Sequence, residues 1–313
     1  IVDSTVDTGA AVTVEAHDTS AITATTGAVA ISVGASGTAA GAGAFGASIS
    51  INEIGTLDGA ILSGLTALTS LTIALNPLQE IPAAIKMQEE VGLQSATDGE
   101  FRRASWHMDF IYALGGVSKA PGHLAVKFHN AAGDIEFTPA SIRVDSKLKI
   151  NDTIFADAFT FLRSHVTTAV PKLTIPSPNM VHYRGGPASV DQSVYPDMEE
   201  FWADLAAAYA DEVQRLNKLG CTYLQFDDTS LAYLNDPAQR AEISERGEDA
   251  EHMHLRYIKQ INDAVKDKPA DMAITTHMCR GNFRSSWVAS GGYDFVAEAL
   301  FSELAVDGFF LEY

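Results

Sequence analysis

The chain has 313 residues, of which 46% are hydrophobic and 19% charged, and its formal net charge at pH 7 is −19. This composition is typical of a globular protein with one large domain or two ordinary ones, and it does not favour a disordered or fibrous chain. The acidic charge argues against nucleic acid as a partner, because nucleic-acid affinity comes largely from basic side chains.

The sequence contains two cysteines, Cys221 and Cys279. Two thiols in a chain of this length cannot supply a disulfide framework, and they favour a reducing compartment. No basic segment followed by an apolar core opens the sequence, so no signal peptide is predicted. We therefore predict a cytoplasmic location and no membrane partner.

Residues 1–76 differ in composition from the rest of the chain, since they contain no Lys, Arg or Pro and one aromatic residue, Phe45. Within them, residues 1–56 alternate small residues with Thr, Val and Ile at the period of a β-strand, but offer little that a core could bury. This pattern predicts an Ala/Gly/Thr-rich β-repeat-like segment, which makes the N-terminus β-rich and low in complexity. A low-complexity leader without stable structure is the alternative.

Residues 57–85 match the spacing of a leucine-rich repeat at Leu65, Leu68, Leu71, Ile73, Asn76, Leu78 and Ile81. One such repeat has no neighbouring repeat on which to stack, so alone it should be unstable. A membrane span is not favoured, because Ser and Thr interrupt the apolar stretch. Asn76 and Pro77 also close it well short of the roughly 20 residues that a span needs.

Residues 86–313 alternate amphipathic helical segments with short apolar strands that end in polar residues. Four helix–strand pairs are predicted, at 85–92 and 93–100, 197–220 and 221–228, 254–270 and 271–279, and 293–308 and 309–313. A fifth strand is predicted at 173–178, and residues 123–142 alternate like a hairpin that leaves the main sheet. Serial helix–strand units with polar strand ends favour an α/β fold of the (β/α)8 TIM-barrel type over a doubly wound sheet. With about six strands instead of eight, this barrel is expected to be incomplete.

The predicted strands end in residues that can bind metals or charged ligands, namely Asp98, Glu100, Asp227, Asp228, His277, Cys279 and Glu312. His277 and Cys279 are two residues apart, so on a strand their side chains leave the same face. Nitrogen and sulfur ligands with an added carboxylate suit Zn²⁺ better than hard cations. Taken singly, each residue has an ordinary alternative: the two aspartates could cap the following helix, and Cys221 fits a small core residue.

Three segments resemble the catalytic barrel of cobalamin-independent methionine synthases, and especially of their short single-barrel bacterial relatives. They are TDGEFRRASWHMDF at 97–110, YLQFDDTSLAYL at 223–234 and THMCRGNFRSSWVASGGYDFVAEALFSEL at 276–304. The resemblance implies a zinc-dependent S-methyltransferase that moves a methyl group from a 5-methyltetrahydrofolate-type donor to the thiol of homocysteine and forms methionine. A methylcorrinoid donor is the alternative, because the family's second barrel, which helps to hold folate, has no counterpart in this sequence.

The resemblance also assigns roles to individual residues. His277, Cys279 and Glu312 match three zinc ligands of the family, and Glu100 and Asp227 match the positions that bind the amino group of homocysteine. The fourth zinc ligand, a cysteine, and the histidine that acts as general acid are expected beyond Glu312, so no catalytic residue is assigned within the chain. The family's first strand, with its substrate-binding serine, is expected to be replaced by the segments before Lys86.

Two other functions are compatible with the sequence. The chain could be a fragment of a non-enzymatic surface or adhesion protein in which residues 1–85 carry the function and the barrel is an inactive remnant. It could also be a decarboxylase of the uroporphyrinogen type, which shares the barrel without the metal. Convergence of His277, Cys279 and Glu312 would favour the methyltransferase over both.

Overall fold

The computed structural model describes residues 77–121, 126–130, 133–137, 141–282 and 286–312, together with four short strands before residue 77. These strands are Ala30–Ile31 (β1), Gly34–Ser36 (β2), Ala44–Gly46 (β3) and Ile73–Ala74 (β4). Strand β1 pairs with β4 and β2 pairs with β3, both antiparallel. Most of residues 1–76 lie outside the described residues, so the proposed segments 1–56 and 57–85 stay predictions.

The chain divides into two compact units, Ile1–Met87 and Gln88–Tyr313. The strands of the second unit are, in chain order, Ser95–Ala96 (β5), Gly115–Ala120 (β6), Val126–Asn130 (β7), Gly133–Phe137 (β8), Ser141–Lys149 (β9), Val170–Pro176 (β10), Tyr223–Asp228 (β11), Ala273–Met278 (β12) and Gly308–Leu311 (β13). The described helices are Pro77–Glu90 (α1), Met108–Ile111 (α2), Ala156–His165 (α3), Met198–Lys218 (α4), Ser230–Tyr233 (α5), Pro237–Glu245 (α6), Met253–Val265 (α7) and Ala297–Glu303 (α8), with 3₁₀ turns at Pro178–Val181 and Gly186–Ser189.

The core of the second unit is a five-stranded parallel sheet in the order β13-β12-β11-β10-β5. Each strand lies beside its successor in the sheet, and helices α3, α4, α7 and α8 lie in the connections. This curled parallel sheet confirms the prediction of an incomplete TIM-type barrel. All four predicted helix–strand pairs and the fifth strand are present, whereas helix α3 before β10 was not predicted.

Helix α4 shows why the sequence folds locally in this way. Its first turn is capped by the side chain of Asp197, which accepts a hydrogen bond from the Glu199 amide at 2.9 Å. Large buried side chains recur along one face at three- and four-residue spacing, and include Phe201, Leu205 and Tyr209. Past the helix end, Gly220 takes a φ of +93°, which glycine adopts without strain.

The segment between β5 and α3 forms an insertion of antiparallel strands. Strands β7 and β8 pair as the hairpin that the alternation at 123–142 predicted, and β6 and β9, which flank it in sequence, pair with each other. The hairpin is tied to the chain that follows β12: His129 and Trp287 exchange two backbone hydrogen bonds, of 2.7 and 3.0 Å. The insertion therefore contacts the loop that leaves the end of β12.

Within the part of the chain that the structure describes, no helix is both long and apolar enough to cross a membrane. The two cysteines are both unpaired. Cys221 is fully buried, and burial raises its pKa to about 12, which fits the expectation of a small core residue.

Glu212 on α4 is a carboxyl group buried in this core. One oxygen, Oε1, accepts a hydrogen bond from the Ile154 amide at 2.8 Å and so holds the turn that leads into α3. Its other oxygen, Oε2, is buried and has no hydrogen-bond partner in the described parts of the chain. Burial raises the pKa of Glu212 to about 8, although the Ile154 hydrogen bond opposes this change.

We predict that Glu212→Gln flattens the pH dependence of folding stability. The folded chain holds the Glu212 proton up to about pH 8, whereas the unfolded chain releases it near 4.5, so stability falls as pH rises between these values. Gln cannot ionise, and its oxygen can still accept from Ile154. Urea unfolding followed by tryptophan fluorescence should show native stability decreasing by about 2–4 kcal/mol over this range, and much less in the variant. The exposed Glu245→Gln is the control, and equal slopes in Glu212→Gln and native protein would contradict the prediction.

Candidate functional site

Three potential metal ligands converge at the carboxyl ends of β12 and β13. His277 lies on β12, Cys279 follows that strand, and Glu312 follows β13. One ligand atom from each lies within 4.8 Å of the other two, and His277 Nε2 is 3.9 Å from Glu312 Oε1. All three side chains are half-buried, so a ligand can reach them. The structure thus brings together the three residues for which the sequence predicted zinc binding.

Each of these side chains is held in place by its surroundings. His277 Nδ1 lies 3.0 Å from the Phe310 carbonyl, a contact that orients the ring and leaves Nε2 toward Glu312. Cys279 Sγ accepts from the Gly281 amide at 3.3 Å. Glu312 Oε2 accepts from Asn282 Nδ2 at 2.8 Å and from the Arg280 amide at 3.1 Å.

The donor set fits a zinc ion. One nitrogen, one sulfur and one carboxylate oxygen that converge from two neighbouring strands are a chemically suitable set for Zn²⁺, and three protein ligands leave room for a substrate atom. Hydrogen bonding to Cys279 raises the pKa of His277, and burial acts in the opposite direction. Sequence reasoning missed Asn282, whose role depends on a loop that returns to Glu312.

Glu100 and Asp227 lie at the same end of the sheet. Asp227 is the register partner of His277 on the neighbouring strand. Burial raises the pKa of Asp227 to about 6, with the Glu100 charge adding to the effect and His277 opposing it. The effect of the Glu100 charge on Asp227 indicates that the two carboxylates share one region of the barrel mouth. Asp227 Oδ1 accepts from Gln225 Nε2 at 2.7 Å.

Glu100 is held in an unusual backbone conformation by short-range contacts. Its φ is +57°, in the left-handed region, and its amide donates to Asp98 Oδ1 at 3.0 Å. The carboxylate accepts from Arg103 Nη1 at 2.8 Å and from the Thr174 hydroxyl. Glu100 therefore already has one cationic partner, which a bound ammonium group would share.

Asp228, next to Asp227, has a structural role. Its fully buried carboxylate accepts from the Ser177 hydroxyl, from Asn179 Nδ2 at 3.2 Å and from the Leu231 amide at 2.9 Å. It thereby links the loops after β10 and β11 and supports the start of helix α5. Asp228 thus accepts from an amide in the first turn of α5 but is not its N-cap, which is Thr229, whereas Asp227 faces the site.

No protein-family model matches the chain. The chain is 43% identical over 235 residues to the uncharacterized protein YxjH of Bacillus subtilis, which covers 75% of this chain and 60% of that protein. It is 26% identical over 204 residues to a protein named methionine synthase from Pyrococcus abyssi, over 64% of this chain and 50% of that one. A solved structure from Listeria monocytogenes, described as a candidate vitamin-B12-independent methionine synthase, is 39% identical with a TM-score of 0.58, over 76% of this chain and 62% of that one.

These similarities confirm the resemblance to the cobalamin-independent methionine synthase family that the three sequence motifs indicated. They also support the TIM-type fold. The chain spans about three fifths of the length of YxjH and of the Listeria protein.

We predict that Asp228→Ala destabilises the second unit by about 2–4 kcal/mol, because it removes a buried acceptor and leaves several donors unpaired. Urea unfolding followed by tryptophan fluorescence measures the change. Asp145→Ala, at an exposed position on β9, removes the same group and should change stability by less than about 0.5 kcal/mol. Similar losses in the two variants would contradict the structural role of Asp228.

Proposed function

From its similarity to proteins named methionine synthase, we propose that this chain carries most of the active site of a zinc-dependent S-methyltransferase. The reaction is transfer of a methyl group from a 5-methyltetrahydrofolate-type donor to the thiol of homocysteine, which gives methionine. The observation that carries the proposal is the convergence of His277, Cys279 and Glu312 at the end of the sheet where TIM-type enzymes build their sites.

His277, Cys279 and Glu312 are the residues that would hold the zinc. Bound zinc supplies a positive charge that stabilises a substrate thiol as thiolate at neutral pH, where a free thiol is only a few per cent ionised. Asn282 and the backbone near Arg280 hold the Glu312 carboxylate, and the Phe310 carbonyl holds the His277 ring. These contacts let the ligands keep their positions without the metal, which reduces the ordering cost of binding it.

Glu100 and Asp227 would bind the ammonium group of homocysteine. A cation placed between these two half-buried carboxylates would stabilise their negative charges. Asp227 has a pKa of about 6, so at neutral pH it is largely ionised and its charge is available to the ligand. Arg103 offsets part of the Glu100 charge, which leaves Asp227 the stronger partner.

The methyl donor in the proposed reaction is of the folate type. The Listeria protein is described as vitamin-B12-independent, which favours a folate-type donor over a methylcorrinoid. A surface-protein function would depend on residues 1–85, most of which lie outside the described residues. A decarboxylase of the uroporphyrinogen type would have no use for the converging His, Cys and Glu side chains.

We predict that the purified chain binds close to one zinc per molecule and that His277→Ala and Cys279→Ala each lower the affinity at least about 10-fold. The reason is that each variant removes one of three ligands. Zinc content by mass spectrometry, and competition with a chromogenic chelator, measure the effect. His252→Ala, an exposed histidine that pairs with Asp249, is the control. Equal zinc content in the native chain and both ligand variants would refute the assignment.

We predict that Asp227→Asn weakens homocysteine binding by about 10- to 100-fold without changing zinc content, because it removes a charge-assisted hydrogen bond to the ammonium group. Native affinity should fall as pH decreases through about 6, since Asp227 is then neutralised, and this dependence should be absent in the variant. Titration calorimetry under reducing conditions measures both. Asp263→Asn, on the exposed face of α7, is the matched control. Unchanged affinity in Asp227→Asn would remove Asp227 from the site.

A further inference from the structure

A cavity of about 130 Å³ lies among the segments that follow β5 and β10. His107, Met180, Arg184 and Ser189 are among the residues that line it, together with Ile142 of β9. The segments that follow parallel strands emerge at one end of the sheet, so this cavity lies at the same end as His277 and Glu312. Neither the proposed zinc ligands nor the two carboxylates for the ammonium group line it.

Arg184 brings to this cavity a positive charge that has no negative partner among the residues that the structure describes. Its Nε donates to the Tyr183 hydroxyl at 2.7 Å. Among the described residues, no carboxylate lies within ion-pair distance of the Arg184 guanidinium, and its two Nη groups make no hydrogen bond. Arg143, which also lines the cavity, is by contrast paired with Asp191 at 2.9 Å. A half-buried guanidinium with free donors is well suited to bind an anion, because it presents two parallel N–H groups to a carboxylate.

His107, which also lines the cavity, is likewise suited to bind an anion. Its side chain is nearly fully buried, and burial together with the nearby Arg184 charge lowers its pKa to about 3. The ring is therefore neutral at pH 7. Its Nδ1 lies 3.3 Å from the Ser105 hydroxyl, and Nε2 has no hydrogen-bond partner within the described part of the chain. A neutral imidazole can add one hydrogen bond to an anion that Arg184 attracts.

Two tyrosines link this cavity to the proposed zinc ligands. The rings of Tyr183 and Tyr233 meet edge to face, with centroids 5.4 Å apart. The Tyr233 hydroxyl packs against Gly281, where an added Cβ would lie 1.8 Å from it. The charges of both Arg184 and Cys279 act on the pKa of Tyr233, which burial raises well above its ordinary value. Arg184 and Cys279 thus flank one buried tyrosine.

We propose that Arg184 and His107 form an anion subsite that binds a carboxylate group of the ligand held at the barrel mouth. This inference rests on the proposed function for the identity of the ligand. The cavity has room for a carboxylate and several neighbouring atoms. The carboxylate could belong to homocysteine or to the glutamate part of the donor, and the two sources share the same chemistry.

Two pairs of ligands distinguish the two sources of the carboxylate. Binding of homocysteine is compared with binding of 3-amino-1-propanethiol, which lacks the carboxylate. Binding of methyltetrahydrofolate is compared with binding of the corresponding methylated pterin, which lacks the glutamate and its carboxylates. In one of these pairs, Arg184→Met should weaken binding of the ligand that carries the carboxylate by about 10- to 100-fold and leave binding of its analogue unchanged. Arg184→Lys should retain part of the preference for the carboxylate ligand over its analogue, because it keeps the positive charge but loses the parallel N–H donors of the guanidinium. Arg163→Met, whose native side chain donates to the Leu219 carbonyl, is the control.

Zinc content equal to that of the native chain shows that the Arg184 variants keep the neighbouring site. If Arg184→Met discriminates between the members of both pairs as well as the native chain does, the subsite is wrong. If the native chain binds neither homocysteine nor the donor, the proposed function fails, and glutarate then tests the subsite alone. Glutarate should slow the modification of Arg184 by phenylglyoxal, which is measured by peptide mass mapping with Arg163 as the reference. If glutarate protects Arg184 and Arg163 equally, or protects neither, the inference is wrong.

Discussion

The parallel register of β10 to β13 is the constraint on which the site depends. In a parallel sheet all carboxyl ends meet at one edge, so residues far apart in sequence become neighbours only if every strand pairs in register. Asp227 lies opposite His277, and His277 lies opposite Phe310, two residues before Glu312. A slip of one residue would turn each of these side chains to the other face. Buried Leu224, Phe226 and Ile274 oppose such a slip, because it would bring them out of the core.

The consecutive acids Asp227 and Asp228 show how one strand end serves both structure and chemistry. Neighbouring residues of a strand point to opposite faces, so one carboxylate faces the site and the other enters the packed layer behind it. Asp228 accepts hydrogen bonds from two loops, whereas among the described residues Asp227 has one side-chain hydrogen-bond partner, Gln225. Asp228 uses its hydrogen-bond acceptors to hold the loops, whereas Asp227 can accept further hydrogen bonds from a ligand.

The sequence predicted the helix–strand pairs because buried parallel strands and amphipathic helices differ in period and length. It located His277, Cys279 and Glu312 through strand ends and a family resemblance, both of which are local signals. Helix α3 was missed although Phe159 and Leu162 on it are buried; its N-cap position is Phe155 and no side chain caps its first turn, so the sequence lacks that signal for a helix start. Asn282 and Arg184 were missed for a different reason: their roles arise from contacts with Glu312 and Tyr183 inside folded loops, which no spacing encodes.

The charges at the barrel mouth match a zwitterion better than a simple cation or anion. Glu100, Asp227 and Glu312 provide carboxylates, while Arg184 provides a cation without a negative partner among the described residues. In a chain whose formal net charge is −19, an anionic group approaching from solvent meets repulsion over most of the surface. Arg184 offsets that repulsion at the position where the anionic group is proposed to bind. If the carboxylate bound at Arg184 is that of the proposed amino acid, opposite charges on two sides of the barrel mouth would also fix its orientation, because turning it end for end would place like charges together.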